Sequence, residues 1–599
     1  MAASRGSPAA ADASRRGGGR SYPLLSRREI EALIAEGRTI FILDRHVIKA
    51  DAWLPYHPGG DKAIMHMVGR DATDEVNGFH SLEARRMMDK YRIGRIEGRW
   101  RNFVPPIQGG KFRPRVSDGE DEQEDEYGVS SLITQRLKED VAALSSYSSS
   151  TRSPSPTFDA NKDAALGLRK RRSSGGIARS SSATSLSSGD DDEDGAEVPA
   201  PPVNGMAHLD VLTRKEIKLD LSRYPPPDPV TQEAIAEKYR LLHERIKAEG
   251  LYDCNYSAYA IEVCRYTLFF VLFLVFLRWK WYIPSGFFLG VFWHQLAFTV
   301  HDAGHLGITH DFQTDTVIGI LVADFLGGLS VCWWKRNHNV HHIVTNSPEH
   351  DPDIEHMPFF AISHRFLGSL RSTYYERVMQ YDAAARFFIS LQHYLYYVIL
   401  LFGRFNLYRL SWAHILLGQG PRRGPAAWHR WLEMAGQVFF WTWFGYGVVY
   451  RCVDTGAWDR FVFVMVSHMV TTPLHVQITL SHFAMSTADL GVDESFPQKM
   501  LRTTMDVDCP QWLDFFHGGL QFQAIHHLFP RIPRHNLRKT QRLVQEFCDE
   551  VGIPYALYGF VDGNRQVIGR LADVARQAAI LAKCQSVLVS DGGGHHHHH

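Results

Sequence analysis

Three short segments rich in histidine have the composition of metal-binding sites. They read HDAGH at 301–305, HNVHH at 338–342 and QAIHH at 523–527. On a helix, residues three and four positions apart share a face, so each segment can present its imidazoles to one side. The candidate ligands are His301, His305, His338, His341, His342, Gln523, His526 and His527.

Imidazole nitrogen suits iron, copper, zinc and nickel. Seven histidines exceed the ligands of one four-coordinate zinc ion. The spacing therefore predicts two metal ions, each of which keeps a position open for oxygen or a substrate.

Two further histidines near the N-terminus resemble the axial haem ligands of cytochrome b5. His57 lies in an HPGG sequence, and His80 lies in the sequence DATDEVNGFHS. The resemblance implies an α+β haem b domain in which both iron positions are filled by histidine. Such a haem carries electrons and does not bind oxygen. The alternative is two unrelated surface histidines.

The three histidine segments, in this order around apolar hairpins, resemble those of membrane fatty acyl desaturases. A glutamine that opens the third segment, together with an N-terminal cytochrome b5 domain, is similar to the front-end subfamily. Gly518-Gly519-Leu520 before that segment and Leu528-Phe529-Pro530 after it strengthen the likeness. The resemblance covers nearly the whole chain except residues 101–205.

This resemblance implies a di-iron centre that activates dioxygen and removes hydrogen from an unactivated C–H bond. The metal carries the hard step, while the protein orients the substrate and supplies ligands. The resemblance makes His482 the best candidate for a further ligand, ahead of His310, His475 and His517. Asp302, Asn337, Asn339 and Asp351 are candidates for hydrogen bonds that orient the imidazoles.

The expected cofactors and partners follow from the same resemblance. They are haem b, two non-haem iron ions, dioxygen as co-substrate, and NADH acting through a cytochrome b5 reductase. Ceramide or another lipid is the expected substrate. The chain has 65 basic and 65 acidic residues, so its formal charge of zero gives no bulk attraction to nucleic acid.

The elements that must position these residues fall into several segments. We expect a disordered N-terminus at 1–22, the haem domain at 23–100, a low-complexity linker at 101–205, the desaturase domain at 206–590, and a Gly/His tail at 591–599. The linker contains acidic runs and serine tracts that cannot bury a core. Its length predicts freedom for the haem domain to move between a reductase and the metal centre.

Local signals mark some helix ends. Ser26 with Glu29, and Thr213 with Glu216, have the spacing of capping boxes. The proline run at 225–229 predicts a break between two helices. Residues 40–53 have the apolar runs and alternation typical of strands.

Four segments approach the length and hydropathy of membrane spans, at about 258–278, 283–300, 434–452 and 460–481. Two hairpins of spans return the chain to one side, so the haem domain and all three histidine segments share a face. That face carries most of the Lys and Arg, which predicts a cytosolic orientation.

Two more apolar segments, 316–334 and 388–412, are broken by polar residues and predict interfacial or re-entrant helices. The fold class is therefore multidomain: a haem domain, a disordered linker, and an all-α four-span membrane desaturase domain with a cytosolic helical cap. The expected location is the endoplasmic reticulum membrane.

Cysteine usage excludes other site chemistries. The seven cysteines are scattered without a CxxC pair, which argues against a disulfide framework and a thiolate metal site. The N-terminus has no apolar core of the kind found in a cleaved signal peptide.

The substrate follows only from resemblance. The segment from Trp333 to Phe360 is similar to that of fungal sphingolipid 8-desaturases, which place a trans double bond in the long-chain base of ceramide. Three alternatives stay open: a front-end desaturase of fatty acyl-lipid or acyl-CoA, a lipid hydroxylase on the same scaffold, and a membrane-anchored electron carrier. Asp351, Asp353, Glu355 and His356 are candidates to hydrogen-bond a polar headgroup.

Overall fold

The structure is a computed structural model that describes residues 22–115 and 205–593. Nearly all of the predicted disordered N-terminus, most of the predicted linker, and the histidine run of the tail lie outside the described residues. Those assignments, and the domain boundaries drawn from them, stay predictions.

The N-terminal domain contains a small antiparallel sheet and short helices. Its strands are β1 (Ile40–Leu43), β2 (His46–Lys49) and β3 (Arg92–Arg95), in the order β1-β2-β3. Its helices are α1 (Arg27–Ala35), α2 (Asp61–Met65), α3 (Thr73–Phe79) and α4 (Leu82–Met88), with 3₁₀ turns at Leu54–Tyr56, Asp89–Tyr91 and Pro106–Gln108.

The local signals of this domain are confirmed. Ser26 caps α1 in a capping box with Glu29. The apolar run at 40–53 forms the β1-β2 hairpin, in which Phe41 pairs with Ile48. Buried aliphatic side chains from both strands, including Ile40 and Val47, form the core beneath the sheet.

The second region is almost entirely helical. Its first helices are α5 (Gly205–Arg223), α6 (Pro229–Ala248), α7 (Tyr256–Arg278), α8 (Tyr282–Gly304), α9 (Phe312–Ile320), α10 (Val331–Ile343), α11 (Ala383–Leu400) and α12 (Gly403–Leu417). The later helices are α13 (His429–Phe440), α14 (Ala457–Met469), α15 (Thr472–Phe483), α16 (Phe496–Thr503), α17 (Asp514–His517), α18 (Gln523–Leu528), α19 (Arg534–Val551) and α20 (Phe560–Gly593).

Other elements complete this region. π-Helical turns at Leu321–Leu326 and Trp441–Cys452 continue α9 and α13, and 3₁₀ turns lie at His364–Gly368 and Gln511–Leu513. Strands β4 (Asp506–Asp508) and β5 (Leu557–Gly559) pair in parallel.

Three of the four predicted spans coincide with helices that are long and apolar enough to cross a membrane. They are Tyr256–Arg278, Tyr282–Gly304 and Ala457–Phe483. The fourth predicted span, 434–452, lies within α13 and its π-helical extension and does not reach that hydropathy, because it is rich in glycine, tryptophan and tyrosine. The prediction of four spans is therefore not reproduced in full.

The two predicted broken segments are sharply bent helix pairs. Residues 312–326 and 331–343 meet at 118°, and residues 383–400 and 403–417 meet at 78°. If each bent pair counts as one span, the described part of the chain has up to five. Two polar residues of these segments are buried and hydrogen-bonded: Asp324 accepts from Gln437 at 3.0 Å, and Arg404 donates to the Tyr408 hydroxyl at 3.0 Å.

Small residues let the spans pack closely. Gly286 and Gly290 are four residues apart on α8, and a side chain at Gly290 would lie 2.6 Å from the Ser467 carbonyl oxygen of α14. This is the small-residue spacing typical of membrane helix pairs. At the far ends, the two hairpin loops meet, because Lys280 pairs with Asp454 at 2.8 Å.

Both hairpin loops therefore lie at the end of the bundle opposite the histidine segments.

The proline break at 225–229 is confirmed, since α5 ends at Arg223 and Asp228 caps α6. The second predicted capping box is wrong: Thr213 lies inside α5, where its hydroxyl donates to the Leu209 carbonyl, so it cannot cap a helix start.

A buried ion network joins the helical cap to the first hairpin of spans. Arg534 at the start of α19 pairs with Asp302 of α8 and Glu262 of α7. The Arg534 guanidinium also donates to the Phe298 carbonyl at 3.1 Å. Asp302 directly follows His301, so this network also holds the first histidine segment in place.

We expect Arg534→Met to destabilise the protein by about 3–5 kcal/mol, because it leaves two carboxylates buried without their cation. Thermal unfolding of the purified protein in detergent measures this loss. Arg542→Met on the same helix is the matched control, since the Arg542 side chain is 74% exposed and its pair with Glu546 is screened by water. Equal melting temperatures for the two variants would contradict the role assigned to Arg534.

Candidate metal and haem centres

Three helices bring the histidine segments together. HDAGH ends α8, HNVHH lies in the second half of α10, and QAIHH makes up most of α18. The approach of α8 to α10 depends on Gly304, because a side chain there would overlap the Trp334 ring. Trp334 stacks on His338, with ring centres 4.5 Å apart.

The histidines form two adjacent groups. In each group, one ligand atom per residue lies within 4.8 Å of the others. The first group, site A, consists of His301, His305, His338 and His526. The second group, site B, consists of His341, His482 and His527. The pair of groups agrees with the predicted centre of two metal ions.

His342 lies between the two sites. Its Nε2 atom is 3.1 Å from Nε2 of His338 in site A. Its ring centre is 4.1 Å from that of His527 in site B. The side chain is fully buried, so His342 is available as a ligand at the boundary of the two sites.

The donor atoms of these groups fit metal ions. A buried ring nitrogen without a hydrogen bond costs free energy unless something else binds it. Five buried ring nitrogens here have no hydrogen-bond partner among the described residues, and they belong to His305, His342, His482, His526 and His527. Burial and neighbouring imidazoles lower the pKa of His526 and His527 well below the usual value. Both are therefore neutral, which is the form that binds metal.

Two carboxylates orient the imidazoles of α10. Asp351 lies 2.8 Å from Nδ1 of His341, and Asp353 lies 3.2 Å from Nδ1 of His338. Burial would raise the pKa of Asp353, but His341 and His338 hold it below its usual value. Such bonds at Nδ1 direct the other ring nitrogen towards a metal. Both carboxylates are thereby committed to histidines, which argues against the headgroup role considered from the sequence.

The other residues predicted to orient the imidazoles differ in their contacts. Asn337 donates to Asp353 and so belongs to this network. Asp302 faces Arg534 and Tyr259, with His301 Nδ1 4.0 Å away. The prediction for Asn339 is wrong, because its amide points away from the histidines towards the Gly59 carbonyl of the N-terminal domain.

The candidate ligands outside the three histidine segments also differ in their positions. His482 joins site B, as the resemblance implied. His310 is engaged elsewhere, since its two ring nitrogens lie 2.7 and 2.8 Å from the carbonyl oxygens of Leu306 and Tyr252. His475 and His517 belong to neither group of described residues. Gln523 is buried at the first position of α18, one turn before His526.

The two N-terminal histidines face each other as a haem would require. The ring centres of His57 and His80 are 6.0 Å apart. Two metal–nitrogen bonds of about 2 Å plus the two ring radii give a separation of roughly 6 Å. His57 Nδ1 lies 2.7 Å from the Gly60 carbonyl oxygen, and His80 Nδ1 lies 3.3 Å from that of Val76. Burial lowers the pKa of His80 to about 3, so this imidazole is neutral.

Sequence reasoning missed two residues that shape the metal centre. Trp334 contacts three of the four histidines of site A. Its position four residues before His338 on α10 was an available signal. Asp353 was considered only for a headgroup, although carboxylates commonly orient metal-binding histidines.

A membrane region with two buried histidine groups, carried together with a bis-histidine haem domain, defines an oxidoreductase of the membrane desaturase class. The Fatty acid desaturase family profile matches residues 277–559, and the Cytochrome b5-like Heme/Steroid binding domain profile matches residues 26–97.

Two similar proteins match the chain over nearly its whole length, and a third matches just over half of it. The chain is 60% identical to a Delta 8-(E)-sphingolipid desaturase of Emericella nidulans over 95% of this chain and 97% of that protein. It is 47% identical to a protein of the same name from Candida albicans over 94% and 97% of the two chains. A Delta(8)-fatty-acid desaturase of Helianthus annuus is 36% identical over 57% of this chain and 74% of that protein.

The chain therefore belongs to the family of cytochrome b5-fused fatty acid desaturases that includes the Delta 8-(E)-sphingolipid desaturases. The resemblance found in the sequence is confirmed, as are the haem-domain and desaturase assignments.

We expect His482→Ala to lose the metal ion of site B and to retain that of site A, because site B has only two other histidines. Elemental analysis of the purified protein, corrected for haem iron, measures the loss as a fall of roughly half. His475→Ala, two turns earlier on α15 and outside both groups, is the matched control. Unchanged metal content in His482→Ala would remove His482 from the ligand set.

We expect His80→Ala to abolish the absorption of a six-coordinate haem, because one axial ligand is lost. The visible spectrum of the oxidised and reduced protein measures this. His66→Ala is the control, since His66 is buried in the same domain but hydrogen-bonds Gln108. A wild-type spectrum in the His80 variant would contradict the assignment.

Proposed function

We propose that this protein introduces a trans double bond at carbon 8 of the long-chain base of ceramide or a related sphingolipid. The observation that carries the proposal is two buried histidine groups on the same chain as a haem domain, in a protein whose full-length relatives are named Delta 8-(E)-sphingolipid desaturases. The reaction removes two hydrogens from adjacent carbons and reduces one dioxygen to two waters, with two further electrons and two protons supplied from outside the substrate.

Two iron ions are the proposed occupants of sites A and B, and a haem b is the proposed occupant of the site between His57 and His80. When bound, the irons supply the oxidising power for the C–H bond. The protein's own residues perform the remaining tasks. The histidines of both sites hold the metal ions, Asp351 and Asp353 fix the imidazole orientation, and the buried surroundings exclude water.

Electrons are proposed to come from NADH through a cytochrome b5 reductase and then through the fused haem domain. The proposed location is the endoplasmic reticulum membrane, with the haem domain and the histidine groups on the cytosolic side. The meeting of the two hairpin loops through Lys280 and Asp454, at the opposite end from the histidines, supports a common face.

The substrate assignment is tested by expression in a yeast that lacks this activity. Lipid mass spectrometry should show long-chain bases lighter by two hydrogens, with the double bond at carbon 8. A His338→Ala variant should give none. A change confined to fatty acids would identify an acyl desaturase instead, and a product heavier by one oxygen would identify a hydroxylase.

A further inference from the structure

The haem domain lies directly against the desaturase domain. Four ion pairs join the described residues of the two domains, and they are Asp74–Arg240 at 2.7 Å, Asp61–Arg336 at 3.0 Å, Lys62–Glu376 at 2.6 Å and Arg99–Glu233 at 3.2 Å. The acidic partner belongs to the haem domain in two pairs and to the desaturase domain in the other two. The mixed order of charges fixes one orientation of the two surfaces.

The glycines that follow His57 are shaped for this contact. Gly60 has φ +87°, and a side chain there would lie 2.9 Å from the Arg336 side chain. A side chain at Gly59 would overlap the Asn339 amide. The HPGG turn therefore fits the surface of α10 as well as the haem site, since only glycine allows the backbone so close.

On the other side of the haem site, the end of α3 touches the metal centre. Phe79 directly precedes His80 and packs edge-on against His342, with ring centres 5.5 Å apart. The preceding Gly78 comes close to the Leu528 carbonyl, the residue that follows His527. A single side chain thus fills the space between a haem-ligand position and the boundary of sites A and B.

We propose that Phe79 is the residue through which electrons pass from the haem to the metal centre, in the docked arrangement held by the four ion pairs. This inference rests on the proposed function. One electron leaves ferrous haem, which becomes ferric, and reduces the metal centre by one equivalent. Two such transfers supply the two outside electrons of each turnover, and the reductase restores the haem each time.

The physical reason is that the rate of electron tunnelling falls steeply with the width of any gap that contains no protein atoms. Phe79 is bonded to His80 and packs against the His342 ring, so the electron crosses only one non-bonded contact, that between the Phe79 and His342 rings. A further contact near the haem site runs from the Gly59 carbonyl to the Asn339 amide at 3.5 Å. Asn339 is not a candidate metal ligand, whereas Phe79 contacts the imidazole of His342, which lies between sites A and B.

The first test measures how fast the haem is reoxidised when the reduced full-length protein is mixed with oxygen and substrate in a stopped-flow instrument. Phe79→Ala should slow reoxidation by roughly an order of magnitude, because it opens a gap. Phe79→Leu fills most of the gap and should stay close to wild type. Asn339→Ala, at the same interface, is the matched control and should also stay close to wild type.

Haem spectrum and midpoint potential should be unchanged in all three variants, which separates a lost path from a damaged haem site. Wild-type reoxidation in Phe79→Ala, or slow reoxidation in Asn339→Ala alone, would overturn the proposal.

A second test detects the docking of the haem domain by chemical cross-linking, which does not depend on bound metal. A zero-length carbodiimide should join Lys62 to Glu376, and peptide mass spectrometry should identify the cross-link. Asp74→Arg should weaken both the cross-link and haem reoxidation several-fold, and the swapped pair Asp74→Arg with Arg240→Asp should restore both. An unchanged cross-link and rate in the single variant would show that the docked arrangement does not carry the electrons.

The two proposals fail in different ways. If the wild-type protein makes no unsaturated long-chain base, the proposed function is wrong whatever the haem kinetics show. If the wild-type protein is active and Phe79→Ala reoxidises its haem at the wild-type rate, only the role of Phe79 is wrong.

Discussion

The structure is organised around a cluster of buried imidazoles whose outward nitrogens have no hydrogen-bond partner in the described chain. Burying one unpartnered polar group costs on the order of 1–3 kcal/mol, and five such ring nitrogens lie in one place here. Metal ligation is the interaction that we propose offsets this cost, because neutral imidazole nitrogen is a suitable ligand for iron. The rest of the desaturase domain can be understood as the support that this cluster needs.

That support works at increasing distance from the metal. Asp351 and Asp353 hold the Nδ1 atoms of His341 and His338. Gly304 admits Trp334, which packs the first two histidine segments against each other. Farther out, Arg534 joins the cap to the spans through buried carboxylates. Each of these contacts restricts the movement of the residues nearer the histidines, as pre-organised sites require.

Much of this arrangement could be predicted from the sequence because its signals are local. The histidine spacing of three and four residues depends only on helix geometry, and three spans were visible as apolar runs. Ser26 and Glu29 defined a helix start for the same reason. Segment 434–452 was harder, because its tryptophans, tyrosines and glycines suit a partly buried, π-helical segment as well as a span.

Contacts between residues far apart in sequence could not be predicted. The residues near Thr213 do not reveal that α5 begins at Gly205. Because the helix begins there, Thr213 does not cap a helix start. The fit of Gly60 against Arg336, and of Phe79 against His342, joins residues more than 250 positions apart. The HPGG glycines were explained by the haem alone, although the docked domain gives them a second reason to lack side chains.

Sites A and B are proposed to hold one iron ion each, close to the haem domain. Anomalous X-ray scattering at the iron edge, from crystals of the intact protein, locates these ions. We expect three iron peaks: one within site A, one within site B and one between His57 and His80. A single non-haem peak, or iron located away from both histidine groups, would contradict this proposal.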